Sequence, residues 1–177
     1  MFFSNLDSVK KIYCFEPVKA TYEQAKYNFS LNNALQKVVS IENVGLGNSN
    51  REEVFLFDNE IKGNTGIRGY LSPSYQNNSK ASEITVQICN ASQKIQEIIT
   101  NNPNEKIVIK MDCEGAEYEI FEDLAASSVL DTISIIMLEW HDKGPQAIEK
   151  VLRKNNFSFF SRNLTPISGM IYAYKNE

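Results

Sequence analysis

Lys106-Ile107-Val108-Ile109-Lys110-Met111-Asp112-Cys113-Glu114-Gly115-Ala116-Glu117 is an apolar run that ends in acids and then turns. The pattern predicts a central buried strand over Lys106–Asp112 that delivers two carboxylates to its tip. Gly115 and Ala116 let the backbone turn tightly and bring the next segment close. That segment, Glu114 to Leu124, has helical spacing with Tyr118, Phe121 and Leu124 inward. Glu117 reads as a first-turn acid that suits the helix dipole.

The same alternation continues on both sides. Downstream, Thr132–Trp140 is the most apolar strand, Gln146–Lys154 an amphipathic helix, and Phe157–Phe160 with Met170–Tyr174 a closing pair of strands. Upstream, Ser92 is placed to cap a helix over Gln93–Thr100. Val54–Phe57 and Ile84–Cys89 read as an antiparallel excursion around a long loop, Asp58 to Ser82, whose Arg68, Tyr70 and Tyr75 are candidate acceptor contacts. Earlier still come a strand over Val38–Val44 closed by Gly45 and Gly47, a helix over Val18–Asn33, and a strand over Lys11–Phe15 stopped by Glu16-Pro17. Strands alternating with helices predict one α/β domain over residues 1–177, built on a parallel sheet covered on both faces.

Composition narrows the function classes. Hydrophobic residues make up 42% and charged residues 23% of the 177, ordinary globular values. A net charge of −4 gives no electrostatic footprint for nucleic acid and fits a small-molecule or glycan substrate better. Cys14, Cys89 and Cys113 are an odd, scattered set and read as free thiols in a reducing compartment. With one histidine, His141, and no spaced cysteine pair, no metal is expected. The start of the chain is too short and polar for a signal peptide, and no apolar run nears the ~18 residues of a membrane span. A cytoplasmic protein without membrane partners is the expectation.

In an open parallel sheet, ligands bind at the carboxyl ends of the strands. Those ends carry Glu16, the Asn43-Val44-Gly45 turn, Asp112-Cys113-Glu114 and Glu139-Trp140-His141. Glu16 suits both hydroxyls of a ribose, or equally the N-terminus of the following helix. His141, with an ordinary pKa near 6.5, suits a general base or a strand-end residue bonded to backbone. Glu114 and Asp112 are the other candidates for a base.

Phe15-Glu16-Pro17, the Asn32-Asn33 helix end, the block Lys110 to Glu117 and the strand Ile135-Ile136-Met137-Leu138-Glu139 with Trp140-His141 together resemble the FkbM family of methyltransferases. The similarity runs from Lys11 to Tyr174. It implies a Rossmann-like class I methyltransferase sheet, mostly parallel with an antiparallel last strand. It also implies S-adenosylmethionine as methyl donor and a hydroxyl acceptor on a sugar or secondary metabolite. Carried over by position, Glu16 holds the cofactor ribose, Asn43 and Val44 lie beside the adenine, and Asp112 faces the methionine side. Glu114 and His141 are the candidate catalytic residues.

The family pattern also has a first strand and glycine-rich turn ahead of the Glu-Pro strand, and nothing before Lys11 matches it. The domain is therefore expected to be incomplete at its N-terminus, its first strand missing, with an open sheet edge that favours pairing between chains in a homo-oligomer. An incomplete, non-catalytic domain is the alternative function. A nicotinamide-dependent enzyme would also use Glu16, but gives no reason for the block from Asp112 to Glu117.

Overall fold

Pro17 cannot extend a β-ladder, and the chain turns there from strand β1 (Ile12–Phe15) into helix α1 (Lys19–Ser30). The computed structural model describes residues 8–60, 65–67, 69–71 and 80–176. A short helix α2 (Asn33–Val38), capped by the Asn32 side chain on the Ala34 N–H, leads into β2 (Val39–Glu42). Strands β3 (Gly45–Gly47), β4 (Arg51–Phe57) and β5 (Ser82–Asn90) follow. Helix α3 (Ala91–Asn101), β6 (Ile107–Met111), α4 (Glu117–Ala126), β7 (Ile133–His141), α5 (Gln146–Lys154), β8 (Phe157–Thr165) and β9 (Ser168–Lys175) complete the order.

Among the described residues the strands pair into three sheets, β1-β2, β3-β5-β4 and β6-β7-β9-β8. The pairs β1/β2, β3/β5 and β6/β7 are parallel, whereas β4/β5, β7/β9 and β8/β9 are antiparallel. The architecture is thus α/β with mixed sheets, and the expected predominance of parallel pairing is not seen among the described residues. Two features account for the difference. The chain from β4 to β5 returns on itself as a hairpin, and β8 and β9 close the sheet as a second one.

Several boundaries differ from the sequence pattern for identifiable reasons. Gly45 and Gly47 do not close β2 but form β3, because the missing side chains let β3 lie against β5. A Cβ on Gly45 would stand 2.7 Å from Ile88 Cδ1. The expected helix over Val18–Asn33 is α1, which ends at Ser30, and a second helix, α2, follows where none was expected. The cap of α3 is Asn90 rather than Ser92: Asn90 Oδ1 accepts from Gln93 N at 2.9 Å, and the Ser92 hydroxyl donates to the same oxygen.

The main core lies under one face of the β6-β7-β9-β8 sheet. Met111, Ile136, Leu138, Trp140 and Ile171 pack there against Ile120, Phe121 and Leu124 of α4 and Ile148 and Leu152 of α5. A smaller core joins Val18 to Phe55, Phe57, Val86 and Ile88. The opposite face of the four-stranded sheet leaves Val108, Ile135, Phe160, Tyr172 and Tyr174 exposed. β6 is therefore not the doubly covered central strand that its composition suggests. No helix among the described residues is long and apolar enough to cross a membrane. Cys14, Cys89 and Cys113 are all free thiols.

Gly169 lies against the Trp140 indole. A Cβ there would meet Arg162 O at 2.5 Å, fixed by the β-ladder, and Trp140 Cε2 at 2.7 Å, held by burial of the indole in the core. Gly169→Ala should therefore lower stability by about 1–3 kcal/mol through overpacking. A shift in the urea midpoint measures it, and an unchanged midpoint would show that the hairpin yields freely.

Candidate active site

Parallel pairing of β6 with β7, in the register Lys110↔Met137 and Met111↔Leu138, brings both strand tips to one rim. Asp112 and Glu114 leave the tip of β6. Glu139 and His141 stand two apart on β7 and so share a face, while Trp140 between them points into the core. The turn into α4 is unusual: Glu114 has φ +48° and Gly115 φ +105°. Left-handed backbone is unfavourable for glutamate and is held by its surroundings. Gly66 supplies part of that hold, since a Cβ on it would lie 2.5 Å from Glu114 Cβ and 2.9 Å from Cys113 O.

Helix α4 then begins with Glu117 fully buried beneath the turn. Its Oε1 accepts from the Cys113 N–H at 3.1 Å and lies 2.8 Å from His141 Nδ1. One turn's anchor comes from Tyr118, whose hydroxyl lies 2.7 Å from His141 O and 3.0 Å from Gly144 O and accepts from the Lys143 N–H. The imidazole is thereby fixed at both its ring and its backbone. Its Nε2 faces Glu114 Oε1 at 3.7 Å, Glu139 Oε1 at 3.8 Å and Asp112 Oδ1 at 4.0 Å. Lys110 Nζ lies 3.5 Å from Asp112 Oδ2.

The electrostatics follow from this crowding. Burial pulls the His141 pKa down, but the Glu117 hydrogen bond and the charges of Glu117, Glu114 and Glu139 outweigh it and raise it to about 9. At neutral pH the ring keeps its proton and acts as a donor. Burial raises the Glu114 carboxyl; His141 opposes this, while Asp112, Glu117 and Glu139 add to it. Burial and the neighbouring acids push the Cys113 thiol up to about 12, so it is inert at neutrality.

Glu16 sits at the tip of β1, half-buried. One carboxylate oxygen accepts from the Val18 N–H at 2.8 Å. Burial raises its pKa and that hydrogen bond partly offsets the rise. Asn43 follows β2 and donates its Nδ2 to Glu16 O at 2.9 Å and Pro17 O at 3.0 Å. Its amide thus clasps the Glu-Pro turn, a task invisible in the sequence, and Val44 is half-buried beside it. Arg68 and Tyr75 lie outside the described residues, and Tyr70 is exposed.

Of the residues singled out in the sequence, Asp112, Glu114 and His141 meet at one rim. Glu139 belongs with them, as the two-residue spacing to His141 on a strand signals. Glu117 orients the histidine, which nothing about a helical first-turn acid discloses.

No curated protein matches the chain at a significant level. In fold it is similar to a crystal structure described as methyltransferase FkbM from Methylobacillus flagellatus KT, with a TM-score of 0.54 and 12% identity. That likeness covers 93% of this chain and 36% of the other, so the chain spans about a third of that protein's length. The model of the methyltransferase FkbM domain matches residues 1–159. The chain belongs to the FkbM methyltransferase family.

Proposed function

We propose that the chain carries out S-adenosylmethionine-dependent methyl transfer to a hydroxyl group of a sugar or secondary metabolite. The observation that carries this reading is the gathering of Asp112, Glu114, Glu139 and His141 at one rim of a parallel strand pair. In α/β sheets that rim is where ligands bind.

The relation of β1 to β6 supports a single Rossmann-like arrangement of the sheets. Lys10, just before β1, pairs with Glu105, just before β6, at 2.6 Å. Asn102 at the end of α3 donates to the Tyr13 hydroxyl at 3.0 Å, and Lys94 near the start of α3 pairs with Glu42 at 2.7 Å. Helix α3 therefore runs back alongside β1 and β2, as a crossover in a doubly wound sheet does. At the other rim, Gly66 lies on Glu114 while Ile67 packs against the cluster that contains Val18, two residues after Glu16. These contacts favour Glu16 and Asp112 facing the same cleft.

The residues present suit the cofactor. Glu16 has one oxygen without a hydrogen-bond partner among the described residues, which can accept from a ribose hydroxyl. Asp112, exposed at its strand tip, would face the methionine end. When bound, the cofactor supplies an electrophilic methyl group on a positively charged sulfur. Orienting two reactants can lower a barrier by roughly 7–11 kcal/mol, so binding geometry does most of the work. Glu114, half-buried at the tip, takes the proton of the acceptor hydroxyl as its oxygen gains the methyl, worth about 10²–10⁴-fold. His141, held by Glu117, donates to the acceptor or to the acids around it. The free thiols agree with a cytoplasmic setting.

Titration calorimetry with S-adenosylhomocysteine tests the reading. Binding to the chain is expected, with Glu16→Ala weakening it roughly 10–100-fold, the worth of a hydrogen bond to a charged group. No binding, or an unchanged affinity in the variant, would end it.

A further inference from the structure

We propose that Asp112, Glu114 and His141, with Glu139 beside them, form a binding site for one divalent cation of the oxygen-preferring class, Mn²⁺ or Mg²⁺. One ligand atom from each of Asp112, Glu114 and His141 lies within 4.8 Å of the others. The His141 Nε2 distances to carboxylate oxygens are 3.7, 3.8 and 4.0 Å. These are too long for hydrogen bonds, so the groups face each other across a gap. Ligands on an ion with bonds of about 2.1 Å stand roughly 3–4.2 Å apart. Movements of a few tenths of an ångström would close the set.

The other ring nitrogen is already committed. Nδ1 lies 2.8 Å from Glu117 Oε1, which fixes the ring with Nε2 toward the acids. A carboxylate holding the far nitrogen is the usual support for a ligating histidine. Glu117, on the far side of the ring from the three ligand atoms, is itself under-satisfied. It is fully buried, and its Oε2 has no hydrogen-bond partner among the described residues. A buried polar atom left so is uncommon in native proteins. The ion pairs of Asp112, Glu114, Glu117 and Glu139 among the described residues involve only His141 and Lys110. Binding of the ion takes the proton from His141 Nε2 and leaves a neutral, ligating imidazole, so that the divalent ion and Lys110 together stand against the four carboxyl groups. Carboxylates with one imidazole select a hard cation over thiolate-seeking metals.

The sequence argued against a metal because it holds one histidine. The ligands converge only through the pairing of β6 with β7. With the ion in place Glu114 is a ligand, and an acceptor hydroxyl that reached the ion would lose its proton more readily by coordination. The site stands on these distances and does not depend on methyl transfer.

The test is Mn²⁺ added to chelator-treated chain without any cofactor, followed by electron paramagnetic resonance. One bound Mn²⁺ per chain is expected, with nitrogen hyperfine coupling from the imidazole. Asp112→Asn and Glu114→Gln should each weaken binding at least tenfold, and His141→Gln should remove the nitrogen coupling. No bound Mn²⁺ up to about 1 mM, undiminished affinity in both carboxamide variants, or binding without nitrogen coupling would overturn the proposal. Should His141→Gln fail to fold, as circular dichroism would show, the Glu114→Gln affinity and the wild-type coupling decide. Because S-adenosylhomocysteine is absent throughout, a negative result here leaves the methyl-transfer reading standing.

Discussion

Replacing Glu117 with alanine is expected to cost the fold roughly 3–5 kcal/mol, the range for removing one member of a buried ion pair. Glu117 is completely enclosed, and its Oε1 serves the Cys113 N–H and His141 Nδ1 together. Alanine would strand both donors and open a hole at the start of α4. Glu117→Gln keeps the size and one acceptor oxygen, so its loss should be clearly smaller. Urea unfolding of both variants reads the difference. In a double-mutant cycle with His141→Ala, a coupling above about 1 kcal/mol is expected, since the two side chains share one contact. A loss below 1 kcal/mol for Glu117→Ala would mean that the pair contributes nothing to holding the turn.

The second large effect is on the pH dependence of stability. In chelator-treated protein, stability should fall as pH rises from about 6.5 to about 9. His141 has its pKa raised from 6.5 to about 9 in the folded chain, so the native state binds the proton more tightly than the unfolded state. Its contribution is then fully present below about 6.5 and is lost as pH climbs through 9. A rise of that size corresponds to about 3 kcal/mol. Only 16% of the histidine side chain is exposed, so solvent screening is modest. The unfolding free energy measured at half-unit pH steps checks this, and the slope should vanish in His141→Ala. A flat wild-type profile between pH 6.5 and 9 would contradict the proposed charge state of the ring.

The sequence made some of this legible because local pattern and tertiary placement agree. Gln146 to Lys154 has its apolar residues on one helical face, and α5 occupies that range without adjustment. The strand expected over Thr132–Trp140 is present as β7 with each end shifted by one residue, and the expected antiparallel pair is present as β4 and β5, both longer than their apolar runs. It misled where neighbours decide. The run Ile107 to Met111 is almost wholly apolar, yet Val108 faces solvent because no helix of the described chain covers that side. Gly45 and Gly47 carry the residue type of a stop and serve as a strand, because close contact with Ile88 requires the absence of a side chain. The acids at the strand tips could be found because their chemistry is unusual at such positions. The roles of Asn43 and Glu117 could not, since a clasp on a distant turn and complete burial are properties of the folded chain alone.

The crowded rim has a consequence for assembly. Asp112, Glu114, Glu117, Glu139 and His141 all come from one strand–helix–strand stretch, and the Tyr118 tether on the His141 carbonyl lies inside it too. The whole cluster can therefore form as soon as that stretch closes, before the β4–β5 hairpin or the β1–β2 pair has docked. Amide protons of β6, α4 and β7 would then outlast those of β1 and β2 in hydrogen exchange, leaving these side chains in a cassette that does not depend on the docking of the β1–β2 pair.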